Sequence, residues 1–114
     1  MAKLRRYGGM YLLEISDGRI REYGGMYRYE LSGSYVRRYG GMYIYEICGD
    51  KIREYGGRYL LEVVNGRYIR RYGGMYLYEI DGNKIREYGG RYLYEIDGFI
   101  SNSELMMLIA VLFA

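Results

Sequence analysis

Six glutamates recur along this chain at matching places: Glu14, Glu30, Glu46, Glu62, Glu79 and Glu95. Paired carboxylates can do general acid and base work. Here each repeats at almost constant spacing and Arg19, Lys51 and Lys84 recur opposite them, so cross-strand ion pairs are the expected role. The chain has no histidine, which excludes Ser-His-Asp and Cys-His nucleophile pairs and histidine-bearing metal sites. Its one cysteine, Cys48, occupies the turn position that Asp81 and Asp97 fill elsewhere, and reads as a surface thiol. Asp81-Gly82-Asn83 lacks the twelve-residue ligand ladder of a calcium loop. The Gly-Gly pairs lack the strand–loop–helix setting of a phosphate cradle. No enzyme activity, metal or cofactor is expected.

Arginine is the residue left to explain. Arg5, Arg21, Arg37, Arg53, Arg70 and Arg86 precede the Gly-Gly pairs, and Arg58 and Arg91 follow two of them. The opposite end of each repeat carries the six glutamates and Asp17, Asp50, Asp81 and Asp97, against Lys3, Arg19, Lys51, Arg67 and Lys84. One end is therefore basic and the other acidic, although the formal net charge is only +3. A solvated, solubilising surface is one reading of this polarity. The other is a basic rim of Tyr and Met loops suited to anionic phospholipid. The mild total charge does not point to nucleic acid.

These residues are positioned by a repeat. Tyr-Gly-Gly recurs at Tyr7, Tyr23, Tyr39, Tyr55, Tyr72 and Tyr88, at a spacing of 16 residues with one of 17. Twelve of the 18 glycines form these pairs, and Gly18, Gly33, Gly49, Gly66, Gly82 and Gly98 lie about midway between them. Glycine at such intervals breaks helices and suits two-residue turns of type I′, whose central residues both need φ > 0. The segments between, such as Met75-Tyr76-Leu77-Tyr78-Glu79-Ile80, have the aromatic and branched residues of strands. Eleven turns join twelve strands. The first, Lys3 to Tyr7, and the last, Arg91 to Ile96, are each half of a hairpin, and pairing them closes a barrel without edges. The expected register sets Lys3 against Glu95 and Leu4 against Tyr94, as Lys84 against Glu79 and Ile85 against Tyr78.

Alternation assigns Tyr76, Tyr78, Leu13, Leu61, Ile80 and Ile85 to the inner face. Tyr72, Met75, Leu77, Glu79, Lys84 and Arg86 fall on the outer one. Arg6, Glu22, Arg38, Glu54, Arg71 and Glu87 share the inner face near the Gly-Gly end. Their alternating sign predicts a ring of ion pairs and pseudo-threefold symmetry. After Gly98 the pattern stops, and Ser101-Asn102-Ser103-Glu104 reads as a capping box for a helix over Leu105–Ala114 that is apolar on every side. Such a helix must be surrounded. Twelve strands ~4.8 Å apart and tilted by ~36° enclose a radius near 11 Å, which leaves roughly one layer of side chains around an axial helix. The tyrosines are tight in that gap and belong toward the rims. Closure needs shear, expected from bulges at Ser16-Asp17-Gly18 and Val64-Asn65-Gly66-Arg67. Residues 1–98 thus form a hairpin barrel and 101–114 its central helix, in one domain.

Tandem Tyr-Gly-Gly hairpins, then Asp-Gly-Phe-Ile-Ser and an apolar C-terminal helix, resemble the β-flower proteins, shallow symmetric barrels plugged by their own helix. The likeness runs from Met1 to Ala114. That family resembles in turn the tubby-like C-terminal domain, whose members bind phosphoinositide head groups and whose lipid-scrambling relatives act at membranes. No tubby lipid-binding motif is recognisable in this chain, so the resemblance transfers no site residues.

The expected function is a non-enzymatic binding or scaffold module that docks to anionic lipid through Arg5, Arg21, Arg37, Arg53, Arg58, Arg70, Arg86 and Arg91. A carbohydrate-binding tyrosine repeat and a purely structural protein are the alternatives. With no signal-peptide h-region at Met1–Arg6 and a single cysteine, the expected location is cytoplasmic and membrane-peripheral.

Overall fold

The computed structural model describes all residues, 1–114. Twelve antiparallel strands close into one barrel: β1 (Ala2–Arg6), β2 (Tyr11–Ser16), β3 (Arg19–Glu22), β4 (Tyr27–Ser32), β5 (Tyr35–Arg38), β6 (Tyr43–Cys48), β7 (Lys51–Glu54), β8 (Tyr59–Val64), β9 (Tyr68–Arg71), β10 (Tyr76–Asp81), β11 (Lys84–Glu87) and β12 (Tyr92–Gly98). Each strand pairs with its sequence neighbours, and β1 pairs with β12 at the seam. The helix α1 (Asn102–Phe113) follows. The molecule is a shallow disc of 37 × 33 × 17 Å.

The register differs from expectation by two residues. Asp81 lies opposite Lys84 and Ile80 opposite Ile85, because the turn contains only Gly82 and Asn83. The seam shifts likewise, setting Lys3 against Asp97 and Leu4 against Ile96. A two-residue turn of either type sets its flanking residues opposite each other, as Ser16 and Arg19 are too. At Gly82 only the first central residue has positive φ, the sign pattern of a type II′ turn, whereas Asp17 (φ 53°) and Gly18 (φ 73°) form the expected type I′ pair.

The bulges also lie elsewhere than predicted. Asp17-Gly18 is a plain two-residue turn, and only the loop Asn65-Gly66-Arg67, between paired Val64 and Tyr68, is irregular at that end. The register slips instead inside every Gly-Gly hairpin. Ile20 opposes Tyr29 while Arg21 opposes Tyr27, which leaves Arg28 as the extra residue. Leu12, Ile44, Leu60, Leu77 and Leu93 are its equivalents. Each bulged carbonyl accepts the backbone N–H of a leading tyrosine in the adjoining hairpin, as Leu12 does from Tyr23 at 3.0 Å and Leu93 from Tyr7 at 2.9 Å. The repeat thus supplies its own shear, six times round the barrel.

That bulge reverses the alternation, which corrects the face assignment. Tyr78 packs on the core, but Tyr76 is exposed on the outer wall, as are Tyr11, Tyr27, Tyr43 and Tyr59. The bulged Leu60 turns inward against the core. At mid-height Leu4, Ile20, Val36, Ile52, Ile69 and Ile85, one per repeat, are all completely buried. They surround Met106, Met107, Leu108, Ile109 and Ala110 of α1.

The helix enters at the single-glycine mouth. The Ser101 hydroxyl accepts from the Glu104 N–H at 3.2 Å, and the Glu104 carboxylate accepts from the Ser101 N–H at 3.1 Å, completing the capping box. Its second oxygen accepts from the Gly18 N–H at 2.8 Å, tying helix to barrel. Burial disfavours this carboxylate, but the two backbone donors outweigh it and hold its pKa below the ordinary value. The stability it contributes is present above the ordinary glutamate range and is lost as pH falls through the lowered pKa. Replacing Glu104 by Ala is expected to cost about 1–3 kcal/mol in urea unfolding at neutral pH. Glu104→Gln should show a shallower loss of stability on acidification than wild type.

Candidate functional site

The outer wall is a closed lattice. The leading tyrosine of each hairpin packs on the second tyrosine of its neighbour: Tyr23 on Tyr11, Tyr39 on Tyr27, Tyr55 on Tyr43, Tyr72 on Tyr59, Tyr88 on Tyr76 and, across the seam, Tyr7 on Tyr92. Ring centroids are 4.9–5.3 Å apart. Hydrogen bonds to Asp97 and Asp81 raise the pKa values of the Tyr11 and Tyr92 hydroxyls.

Six of the eight arginines singled out from sequence belong to this wall. Arg5 pairs with Glu95 at 2.6 Å and Asp97 at 3.2 Å, Arg21 with Glu14 at 2.8 Å, and Arg70 with Glu62 at 2.6 Å. Arg37 and Arg53 lie 3.7 Å from Glu30 and Glu46. Arg86 donates to the Gly90 carbonyl at 2.7 Å and covers the Tyr92 ring at 5.1 Å. The glutamates are likewise occupied. Glu14 is nearly buried, and its carboxyl is held below the usual range by the Gly24 N–H and then by Arg21. Arg58 and Arg91 alone of the eight reach well into solvent, 3.9 and 3.8 Å from Glu54 and Glu87. No cluster of His, Cys, Asp or Glu has metal-site geometry.

The Gly-Gly mouth holds what the wall leaves over. Its turns need both glycines. Gly56 has φ +68°, and a Cβ at Gly57 would lie 2.9 Å from the Glu54 Cβ. The next residue stands clear of the barrel: Met10, Met26, Met42 and Met75 are 74–83% exposed, with Arg58 and Arg91 in the two remaining hairpins. The leading tyrosines, about half exposed, stand behind them.

The inner ring at this mouth is not the predicted circle of ion pairs. Glu22, Glu54 and Glu87 pair inside their own hairpins with Arg28, Arg58 and Arg91. Arg6, Arg38 and Arg71 end β1, β5 and β9 just before the turns, are exposed, and make no ion pair or side-chain hydrogen bond. The physical reason is reach: an arginine in the same hairpin lies closer than one across the mouth. Three free cations, one per pair of hairpins, therefore ring the mouth. The alternating sign alone predicts that these three are paired, whereas Arg28, Arg58 and Arg91 occur only in the glutamate hairpins and are the sequence signal that they are not.

The helix ends at this mouth. The Tyr45 hydroxyl donates to the Ala114 carbonyl at 3.4 Å, and the Phe113 ring stacks on Tyr78 at 3.9 Å. The inner tyrosines thus lie toward the rim, as expected. No helix is long and apolar enough to cross a membrane. Fold and site together define a closed twelve-stranded antiparallel barrel with a C-terminal helix inside it and an amphiphilic mouth at one end. Compared with protein-family models, with curated proteins and with solved structures, the chain matches none of them significantly.

Proposed function

We propose that this barrel, of β-flower type, is a non-enzymatic binding module that docks its Gly-Gly mouth on anionic membrane lipid. The observation that carries the reading is the composition of that mouth: exposed Met10, Met26, Met42 and Met75 beside free Arg6, Arg38 and Arg71. Methionine and tyrosine side chains enter the interfacial layer, while guanidinium groups meet phosphate. The wall arginines serve this reading less well, because glutamate or tyrosine already engages them. Arg58 and Arg91 remain available beside the free three.

Each basic residue near an anionic surface contributes about 1 kcal/mol, so changing Arg6, Arg38 and Arg71 together to Ser should weaken vesicle binding by about a hundredfold. Co-sedimentation with phosphatidylserine vesicles at low salt measures it, and wild-type binding should fall as salt rises. Changing Arg5, Arg21 and Arg70 instead should lower thermal stability more than binding. Wild-type protein that ignores such vesicles at low salt sinks the reading. Retention on a polysaccharide column in that case transfers it to the carbohydrate alternative, and failure of both leaves a structural scaffold.

A further inference from the structure

Within the barrel the repeat uses methionine at one place only, directly after Gly-Gly, in four of its six hairpins. Leucine, isoleucine, valine and tyrosine fill the apolar places of the strands. These four thioethers, of Met10, Met26, Met42 and Met75, stand out from the mouth, each at least 74% exposed. The other three methionines provide a contrast. Met106 and Met107 are 4% and 0% exposed in the centre of the barrel. Met1 is exposed at the opposite end, one residue before the Ala2–Gly98 pair. The turn does not depend on the side chain after Gly-Gly. The Met10, Met26 and Met42 carbonyls accept the N–H groups of Arg6, Glu22 and Arg38 at 3.0–3.2 Å. Arg58 and Arg91 keep the same bond, from Glu54 and Glu87, at 2.9 Å.

We infer that these four thioethers are an oxidation site, and that their conversion to sulfoxides by a peroxide releases the mouth from lipid. The inference rests on the lipid-docking reading and adds its regulation. Hydrogen peroxide gives one oxygen atom to each sulfur: the O–O bond breaks, an S–O bond forms and water leaves. The thioether is oxidised, the peroxide is reduced, and no proton is left over. The sulfoxide is polar and is disfavoured in the interfacial layer that suits the thioether. Arginine is untouched by this reaction, so Arg6, Arg38 and Arg71 keep their charge and only the apolar half of the contact is lost. Leucine at the four positions would serve docking equally and would not respond to peroxide. Exposure supplies the selectivity. The oxidant reaches the mouth sulfurs freely, while the barrel shields Met106 and Met107, so the fold survives a dose that alters the mouth. The change is reversible, because reductases return methionine sulfoxide to the thioether.

The test treats the whole chain with hydrogen peroxide and follows each methionine by peptide mapping. Met10, Met26, Met42 and Met75 should convert to sulfoxide well before Met106 and Met107, with Tm unchanged. Protein in that state should bind phosphatidylserine vesicles about tenfold or more weakly than untreated protein. Methionine sulfoxide reductases, one for each epimer, should restore the binding. The fourfold variant Met10→Leu, Met26→Leu, Met42→Leu and Met75→Leu should bind like wild type and keep its binding after peroxide. That variant retains Met1 and the Cys48 thiol, so it separates the mouth from the other exposed oxidisable groups. Equal vesicle binding with and without mouth sulfoxides, or the same loss in the leucine variant, overturns the switch and leaves docking standing. Oxidation of the mouth sulfurs no faster than that of Met106 and Met107 does the same. Untreated wild type that ignores the vesicles overturns the docking reading, and the switch falls with it.

Discussion

Deleting residues 102–114 is expected to abolish cooperative folding. Met106, Met107, Leu108 and Ile109 are buried in the centre of the barrel, and the six mid-height residues from Leu4 to Ile85 have α1 as their packing partner. Burying each large side chain is worth ~1.5–3 kcal/mol, so the helix accounts for roughly a small domain's whole stability. Without it the inner ring faces water on both sides of the disc. The truncated chain should aggregate, or keep strand content with non-cooperative thermal unfolding and dye binding. Leu108→Asp makes the same point within the full chain. An unpaired carboxylate at a fully buried site costs several kcal/mol or forces the helix out. A monomeric truncation with an unchanged Tm would show that the barrel does not need its plug.

The second large effect belongs to the seam. β1 is held on one side by β12 and on the other by β2, with Leu4 completely buried between Ile96 and Leu13. Leu4→Ala should cost about 2–5 kcal/mol, as for other buried leucines. Its structural consequence should exceed that of Ile52→Ala at the equivalent place opposite. Only β1 lacks a hairpin link to β12, so weakening it opens the circle and exposes two edges. Amide exchange reads this directly. In wild type the amides of residues 3–6 should exchange as slowly as those of residues 51–54, and Leu4→Ala should speed the first set selectively. Fast exchange at residues 3–6 in wild type would mean that the seam frays.

The site was legible in part. Counting charges along the repeat located a basic end, and the mouth does contain unneutralised arginine. Which arginines are free was not legible, because Arg70 and Arg71 are adjacent in sequence and differ only in the face they occupy. Arg70 meets Glu62 at 2.6 Å on the wall, while Arg71 points to the mouth and meets nothing.

What the amino-acid order determined alone is the periodic part. Glycine spacing dictates where the chain turns, since Gly8, Gly24 and their equivalents adopt positive φ that other residues reach only under strain. The count of half-hairpins then requires closure, and Ser101 with Glu104 starts a helix that has no polar face to leave outside. Those are local or counting constraints, readable residue by residue. The register, the six bulges and the outward turn of Tyr11, Tyr27, Tyr43, Tyr59 and Tyr76 were decided only in three dimensions. Closing twelve strands around a helix requires shear. The chain obtains it by displacing one residue per hairpin, and that displacement reverses every side chain beyond it.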